Sequence, residues 1–265
     1  MPDDADAAPL LEIDTDTDSR GGVTVLRLNR PSVRNALNSA LVDRLETALL
    51  GLDDDPEVRA VVLTGSPPGF CAGSDLTELA GLAVSERVRH EARAGCLART
   101  LQRLGTPVVA AVEGFALGGG FLLATSCDVV ISAGHARWQL PEVGLGWVPP
   151  WGLHSLLSRV GPSAARRLTW GEQPLSGRQA HRIGVVDEVS EPGQSVRRAM
   201  EVARRLAALP PNAVSSTKRA LADASAGAAE NLDARTSWMF GLDCYSSSAQ
   251  LSFARFHRPE PDRAQ

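Results

Sequence analysis

Two glycine-rich segments contain the residues whose types and spacing could do chemistry. TGSPPGFCAGSDL (64–76) follows a predicted strand, and VEGFALGGGFLLA (112–124) leads into an apolar helix. Glycine permits backbone angles that expose an N–H to a ligand, and the first N–H groups of a helix are unpaired and lie at the positive end of its dipole. Two such donors on one oxygen would stabilise a developing negative charge. Because a glycine triplet alone more often marks a tight turn, the two segments together, and not either one, indicate a site.

The elements that must position these segments alternate between strand and helix. Runs of β-branched and other apolar residues predict buried strands at 23–29, 58–65, 107–114 and 127–132. Apolar residues at helical spacing predict helices over 35–52 and 85–104, the first of them capped by Asn35 or Asn38, and Gly118 begins another. This alternation predicts an α/β architecture with parallel strands.

The second part of the chain, from Gly152 onward, is predominantly helical. Gly161-Pro162 is predicted to open a helix, 184–189 reads as a short strand, and helices follow at 192–209, 211–224 and 227–246. We therefore divide the chain into a flexible acidic tail (1–20), a core that holds the site (21–205) and a C-terminal helical region (206–265).

The composition favours a soluble enzyme and gives no sign of nucleic acid or membrane as a partner. The 265 residues are 43% hydrophobic, enough for a sizeable core, and the net charge of -4 provides no basic footprint for nucleic acid. No stretch approaches the ~18 apolar residues of a membrane span, and the acidic N-terminus lacks the apolar region of a signal peptide. Four scattered cysteines predict reduced thiols in the cytoplasm and no metal site.

Several segments, in this order and spacing, resemble the crotonase, or enoyl-CoA hydratase/isomerase, superfamily. They are LNRPSVRNALNSAL, GFCAGSDL, PVVAAVEGFALGGG, CDVVIS, WQLPEVGLGWVPP and RLTWGEQPLSGRQAHRIGVVDEV. The resemblance implies a spiral of stacked β-β-α turns with a C-terminal helical region for trimerisation. It also implies an acyl-CoA thioester as substrate, no cofactor beyond that CoA, and a homotrimer or dimer of trimers. Candidate subunit contacts are Leu221, Leu232, Trp238, Met239, Phe240 and Leu251.

In this family two backbone N–H groups hold the thioester oxygen, and the matching segments place these donors on Ser74 and Gly119. The CoA moiety would lie along the start of the N-terminal helix and the GSDL loop. Arg34 is a candidate contact for a CoA phosphate, or else a solvated surface arginine; an arginine is expected there because Lys218 is the only lysine. The other predicted substrate-binding residues are Ala36, Ala72, Asp75, Leu76, Gly118 and Leu122.

The family's hydratases hold a water molecule between two carboxylates. When the segments of this sequence are matched to the family, only one of these carboxylates is found. The position two residues after the glycine triplet is Leu122, whereas the Pro-Glu step of the next active-site strand supplies Glu142. A single carboxylate suffices for a proton shuttle between C2 and C4 of a 3-enoyl thioester. The resemblance therefore favours an isomerase in which Glu142 is the catalytic acid and base. We expect apolar surroundings to raise the pKa of Glu142.

Other roles remain open from the sequence. The same enolate could serve a hydratase, a C–C lyase, a decarboxylase or a thioester hydrolase, and a crotonase-fold protein could bind acyl-CoA, or a partner such as RNA, without turnover. Trp147 and Trp151 could line the acyl pocket or pack in the core. His90 and His154 could each be an auxiliary acid or base, although a lone histidine is more often structural.

Overall fold

A computed structural model describes residues 9–16, 22–171 and 173–257 of the chain. In these ranges nine strands form two sheets: β1 (Leu11–Asp16), β2 (Gly22–Leu28), β3 (Val58–Gly65), β4 (Val108–Val112), β5 (Phe115–Leu117), β6 (Val129–Ala133), β7 (Arg137–Gln139), β8 (Leu175–Ser176) and β9 (Glu188–Ser190). The larger sheet has the order β1-β2-β3-β4-β6-β9, and the smaller has the order β5-β7-β8. From β2 to β9 every pair in the larger sheet is parallel, which confirms the predicted α/β architecture.

The chain alternates between the two sheets, and this alternation generates the spiral. β4 of the larger sheet is followed by β5 of the smaller one, and β6 is followed in the same way by β7. A helix then begins after each small-sheet strand. The two turns that begin at β4 and β6 are therefore β-β-α units, as the resemblance implies, and the short strands β5 and β7 deliver the polypeptide to one edge of the sheet.

Eleven helices surround the sheets in the described residues: α1 (Ser39–Asp54), α2 (Leu76–Gly81), α3 (Val84–Arg103), α4 (Gly119–Thr125), α5 (Glu142–Leu145), α6 (Leu153–Thr169), α7 (Gly177–Arg182), α8 (Ser195–Ala207), α9 (Pro211–Asp223), α10 (Ala226–Asp243) and α11 (Ser247–Ala254). The main core packs one face of the sheet against α1, α3 and α4, and α8 covers the other face. Strands buried on both faces explain the continuous Val, Ala and Leu runs in the sequence.

Two details of the sequence prediction need correction: the first strand of the sheet and the strand near residue 188. Residues 11–16 of the predicted tail form β1, which pairs antiparallel with β2 and buries Leu11, while the tail prediction for 1–8 and 17–20 lies outside the described residues. Gly161-Pro162 opens a helix as predicted: Gly161, with φ +73°, separates two helices that together make up the α6 range, and Pro162 lies at the start of the second one. The predicted strand at 184–189 is confined to Glu188–Ser190. Asn38, rather than Asn35, caps α1 by accepting a hydrogen bond from the Leu41 N–H at 2.9 Å.

The C-terminal helices pack back onto the part of the fold that carries the site. α10 contacts α3 and α6, and α11 contacts α2 and α5. Phe240 is 1% exposed in this packing and is therefore not free to contact another subunit, whereas Trp238 is 66% exposed. Among the helices of the described ranges, none is long and apolar enough to cross a membrane.

Candidate active site

A small cavity of about 50 Å³ lies where the 72–76 loop, the start of α4, α5 and α3 meet. It is lined by Ala72, Gly73, Ser74, Leu76, Glu91, Gly118, Gly119, Leu122, Pro141, Glu142, Leu145, Trp147 and Pro150. Most of the residues singled out in the sequence are thus brought to one place. Arg34, Ala36, Asp75, Trp151, His90 and His154 do not line this cavity.

The two predicted backbone donors, on Ser74 and Gly119, lie side by side. Leu37 pairs with the 72–76 loop on either side of Ser74: its N–H donates to the Gly73 carbonyl at 2.8 Å, and its carbonyl accepts from the Asp75 N–H at 2.9 Å. The position of a Cβ on Gly119 would be 3.5 Å from Ser74 N. Within the described chain neither the Ser74 nor the Gly119 N–H donates to another protein group, so both are available to an oxygen atom.

At each glycine of the triplet a neighbouring group lies too close to leave room for a side chain. Gly118 adopts φ +51°, and a Cβ there would be 2.9 Å from Oε1 of Glu142. A Cβ on Gly120 would be 2.3 Å from the carbonyl oxygen of Cys71. A Cβ on Gly119 would be 3.0 Å from the indole of Trp151. The triplet is therefore required for close approach of the backbone to the neighbouring groups, and not only for a turn.

Glu142 is held in apolar surroundings at the N-terminus of α5. It lies on a helix and not, as the sequence suggested, on a strand. The residue is 6% exposed, and its Oε2 has no hydrogen-bond partner in the part of the chain that the structure describes. Burial, to which the nearby charge of Glu91 adds, raises the pKa of Glu142 to about 8. A carboxyl group with this pKa is mostly protonated at pH 7 and can both give and take a proton.

Glu91 is a second carboxylate in the cavity, and sequence reasoning missed it. It lies on α3, its side chain is 4% exposed, and its Oε2 accepts a hydrogen bond from the indole Nε1–H of Trp151 at 2.7 Å. The inference that Glu142 is the only carboxyl group in the site is therefore wrong. Leu122 does face the cavity, as predicted, and is apolar and 1% exposed.

A signal for Glu91 exists in the sequence of α3. The apolar stripe of this helix runs through Leu101, Leu97 and Ala94, and its extension by another turn reaches Glu91 and Arg87, both of them buried. Charged residues at the buried positions of an amphipathic helix are uncommon unless they are paired. Their presence indicates a polar site under the helix.

Of the predicted CoA contacts, Arg34 and Asp75 are in different situations. Arg34 is exposed and its carbonyl accepts from the Ala72 N–H at 3.0 Å, which holds it beside the loop that lines the cavity. Asp75 is engaged within the protein: it pairs with Arg30 at 3.0 Å and accepts from the backbone N–H groups that begin α2. Ala36 is buried behind the loop. Arg34 therefore remains the candidate for a phosphate contact, while Asp75 shapes the loop.

The two tryptophans combine the roles that the sequence left open. Trp147 lines the cavity and also packs in the core, where its ring stacks on Phe253 with centroids 4.7 Å apart. Trp151 is 2% exposed and lies behind the cavity, with its indole on Glu91. One tryptophan is thus a wall of the site, and the other is a support for one of its carboxylates.

The two histidines are not positioned as direct acids or bases. His90 is buried beside the site, with Nδ1 3.8 Å from Glu91 Oε1 and Nε2 3.4 Å from Glu78 Oε2. Burial alone would lower the pKa of His90, but the neighbouring Glu91, with Glu78 and Asp75, raises it above its usual value. His154 lines a separate cavity together with Ser126.

The alternation between two sheets, with free backbone donors and buried carboxylates at one edge, defines a crotonase-type fold. The sequence profile of the enoyl-CoA hydratase/isomerase family matches residues 18–256. The chain belongs to this family and is an acyl-CoA enzyme.

Two relatives and one solved structure illustrate the similarity. The short-chain-enoyl-CoA hydratase of Clostridium acetobutylicum is 38% identical over 206 residues, which cover 77% of this chain and 79% of that protein. The 2,3-dehydroadipyl-CoA hydratase of Escherichia coli is 36% identical over 200 residues, covering 75% and 78%. The crystal structure of an enoyl-CoA hydratase/isomerase from Mycobacterium paratuberculosis superposes with a TM-score of 0.81 at 28% identity, covering 93% of this chain and 98% of that one.

Proposed function

We propose that this protein hydrates a short-chain 2-enoyl-CoA, with Glu91 and Glu142 as its acid–base pair. The observation that carries the proposal is that two buried carboxyl groups line one small cavity beside two free backbone N–H groups. The hydratase names of the two relatives support it. The proposal replaces the isomerase prediction, because that prediction depended on Glu142 being the only carboxyl group present.

The thioester oxygen would accept hydrogen bonds from the N–H groups of Ser74 and Gly119. These donors withdraw electron density from the conjugated double bond and stabilise the enolate that forms when C3 is attacked. Because the donors belong to the backbone of a loop and a helix start, they need no reorganisation during the reaction. The oxyanion hole is thus the part of the mechanism that any enolate chemistry at this site shares.

The roles of the two carboxyl groups follow from their surroundings. Glu142, with a pKa of about 8, carries a proton at pH 7 and can act as the acid. Glu91 accepts a hydrogen bond from Trp151 through one oxygen, which leaves the other able to accept a proton from water. We therefore assign Glu142 as the acid and Glu91 as the base.

The steps then balance as an addition of water. The water oxygen bonds to C3 while its proton passes to Glu91, and the π electrons move onto the thioester oxygen as an enolate. The enolate collapses and takes the proton of Glu142 at C2. A proton passing from Glu91 to Glu142, directly or through water, restores the resting state.

Isomerisation of a 3-enoyl-CoA is a second candidate, and Leu122 favours it. Its apolar side chain faces the cavity at the position where the family's hydratases hold a carboxylate. In this reaction Glu142 would first remove a proton from C2 and then return it to C4. Glu142 must then start ionised, the opposite of its state in hydration.

Two substrates separate the candidates. A hydratase converts crotonyl-CoA to 3-hydroxybutyryl-CoA, and an isomerase converts 3-hexenoyl-CoA to 2-hexenoyl-CoA. We expect the first reaction to dominate and Glu142→Gln to abolish it. Isomerisation without hydration would reverse the order of the two candidates. Turnover of neither thioester, together with no effect of Glu142→Gln on any tested acyl-CoA, would contradict both.

The assembly proposed from the resemblance is a homotrimer or a dimer of trimers. The exposed apolar side chains of the C-terminal helices support it, since Trp238, Leu242 and Leu251 are each more than half exposed in the single chain. Sedimentation equilibrium of the purified protein tests the assembly. A monomer at micromolar concentration would contradict it.

A further inference from the structure

A second cavity, of about 220 Å³, lies next to the proposed active site between α3 and α10. It is lined by Ala92, Gly95, Arg99, Pro150, Trp151, Glu230, Asp233, Ala234 and Ser237. Pro150 lines both this cavity and the active-site cavity. Glu91 and Ala92, which are neighbours on α3, face one cavity each, so the two spaces are adjacent across a thin wall.

The indole of Trp151 lies between the two cavities: it lines the second one, and it lies against Gly119 and donates a hydrogen bond to Glu91, both of which line the first. Trp151 is 2% exposed, and its side chain contacts a glycine at each end. A Cβ on Gly119 would be 3.0 Å from Trp151 Cζ2, and a Cβ on Gly95 would be 2.9 Å from Trp151 Cβ. The hydrogen bond from Nε1 to Glu91 fixes the orientation of the ring. Trp151 therefore extends from the oxyanion donor on α4 to the helix α3.

The space beyond Trp151 has room for an acyl chain near the wall. Its lining includes three small residues, the buried Gly95 and the exposed Ala92 and Ala234, together with the ion pair of Arg99 and Asp233. Asp233 also accepts a hydrogen bond from the Gly152 N–H at 3.1 Å, which ties α10 to the segment that carries Trp151. A cavity of about 150 Å³ already accommodates a benzene-sized molecule, so 220 Å³ is sufficient for several methylene groups.

We propose that Trp151 determines the acyl-chain length by closing the active-site cavity, and that the second cavity is a latent site for the tail of a longer acyl-CoA. With the indole in place, the space beside the oxyanion donors suits only a short acyl group. Removal of the indole joins the two cavities into one path along α3. The proposal rests on the proposed function only in taking an acyl-CoA as the ligand.

The test is the binding of saturated acyl-CoA thioesters, which does not require turnover. Isothermal titration calorimetry compares butyryl-CoA with octanoyl-CoA on the wild type and on Trp151→Ala. We expect the wild type to bind octanoyl-CoA no more tightly than butyryl-CoA. In Trp151→Ala, the ratio of the affinities should move at least ~10-fold toward octanoyl-CoA, since each buried methylene favours binding.

Two further variants test whether the bulk of the side chain between the two cavities is the cause. Trp151→Phe keeps most of the bulk but loses the hydrogen bond to Glu91, and should keep the short-chain preference. Ala234→Leu, at another residue that lines the second cavity, combined with Trp151→Ala refills part of that space and should restore the short-chain preference. Circular dichroism verifies that each variant is folded, and if Trp151→Ala is not, Trp151→Leu takes its place in the same comparison.

The proposal is overturned if folded Trp151→Ala, or its Leu replacement, keeps the wild-type affinity ratio, or if Trp151→Phe shifts that ratio as much as the smaller side chain does. This outcome is distinct from failure of the proposed function. Absence of hydration with normal binding of butyryl-CoA would overturn the hydratase assignment alone, and absence of binding by any acyl-CoA would contradict both proposals.

Discussion

The indole N–H of Trp151 donates a 2.7 Å hydrogen bond to the carboxylate of Glu91, and both groups are almost completely buried. This pair joins the residue that closes the cavity to a carboxylate that faces it. A buried carboxylate is stable only when its oxygens have partners. Trp151 therefore keeps Glu91 oriented toward the space beside Ser74 and Gly119.

Loss of the Trp151–Glu91 hydrogen bond should destabilise the protein and slow the reaction. Trp151→Phe leaves a buried carboxylate oxygen without its donor, so we expect the free energy of unfolding to fall by about 1–3 kcal/mol and kcat for hydration to fall with it. Urea denaturation and a crotonyl-CoA assay measure the two effects. Trp138→Phe is the matched control, because Trp138 is equally buried and donates to Ser132, and neither residue lines the cavity. An equal loss of kcat in both variants would show that the effect is not specific to Glu91.

The pH dependence of kcat/KM distinguishes hydration from isomerisation. Burial raises the pKa of Glu142 to about 8, so the group is protonated below that pH and ionised above it. Hydration uses protonated Glu142 as the acid, and its kcat/KM should therefore fall about tenfold per pH unit above pH 8. Isomerisation uses ionised Glu142, so its kcat/KM should rise up to about pH 8. A hydration rate that rises through this range would contradict the assignment of Glu142 as the acid.

Gly118 should tolerate no side chain. A Cβ at this position meets Oε1 of Glu142 at 2.9 Å, and φ +51° is unfavourable for other residues. Gly118→Ala should displace the carboxyl group and reduce kcat by about 10²-fold, the scale expected for a misplacement of about 1 Å. Gly144→Ala, on the same short helix as Glu142, has no atom within 4 Å of its new Cβ and should retain activity. Similar kcat values for the two variants would contradict this role of Gly118.

Much of the site could be predicted because it is built from local sequence. The backbone donors depend on short glycine-rich segments, and Glu142 follows directly from the Pro-Glu step. Glu91 continues the apolar stripe of α3, which indicates that it is buried, but only the packing of α3 over α4 shows that it faces the cavity. The helix is long and rich in charge, so many of its carboxyl and guanidinium groups are solvated and give no local signal.

In the fold, too, the elements with a local sequence signal could be predicted and those without one could not. The alternation of strands and helices indicated the parallel sheet, since a strand buried on both faces has a recognisable composition. β1 was assigned to the tail because its side chains are mostly exposed and only Leu11 is buried, so its pairing with β2 depends chiefly on backbone hydrogen bonds. Backbone pairing at a sheet edge leaves little trace in the sequence.

The substitution Leu122→Glu should compensate for loss of the Glu91 carboxylate. Leu122 and Glu91 line the same cavity, so a glutamate at 122 could take over the role of Glu91 when that group is removed. We expect the double variant Glu91→Gln, Leu122→Glu to recover at least ~10-fold of the hydration rate that Glu91→Gln loses, since acid–base help contributes 10²–10⁴-fold. No recovery in a double variant that folds and binds butyryl-CoA would show that the two positions do not serve the same water.

The most direct test of the two-carboxylate site is kcat/KM of Glu91→Gln for hydration of crotonyl-CoA. The amide keeps an oxygen that can accept from Trp151 but cannot take a proton from water. We predict a loss of about 10²–10⁴-fold in kcat/KM with unchanged affinity for butyryl-CoA. Glu86→Gln, on the same helix and with a side chain that is 45% exposed, should leave the rate unaltered. A Glu91→Gln enzyme that hydrates crotonyl-CoA at the wild-type rate would contradict the claim that Glu91 and Glu142 act as a pair.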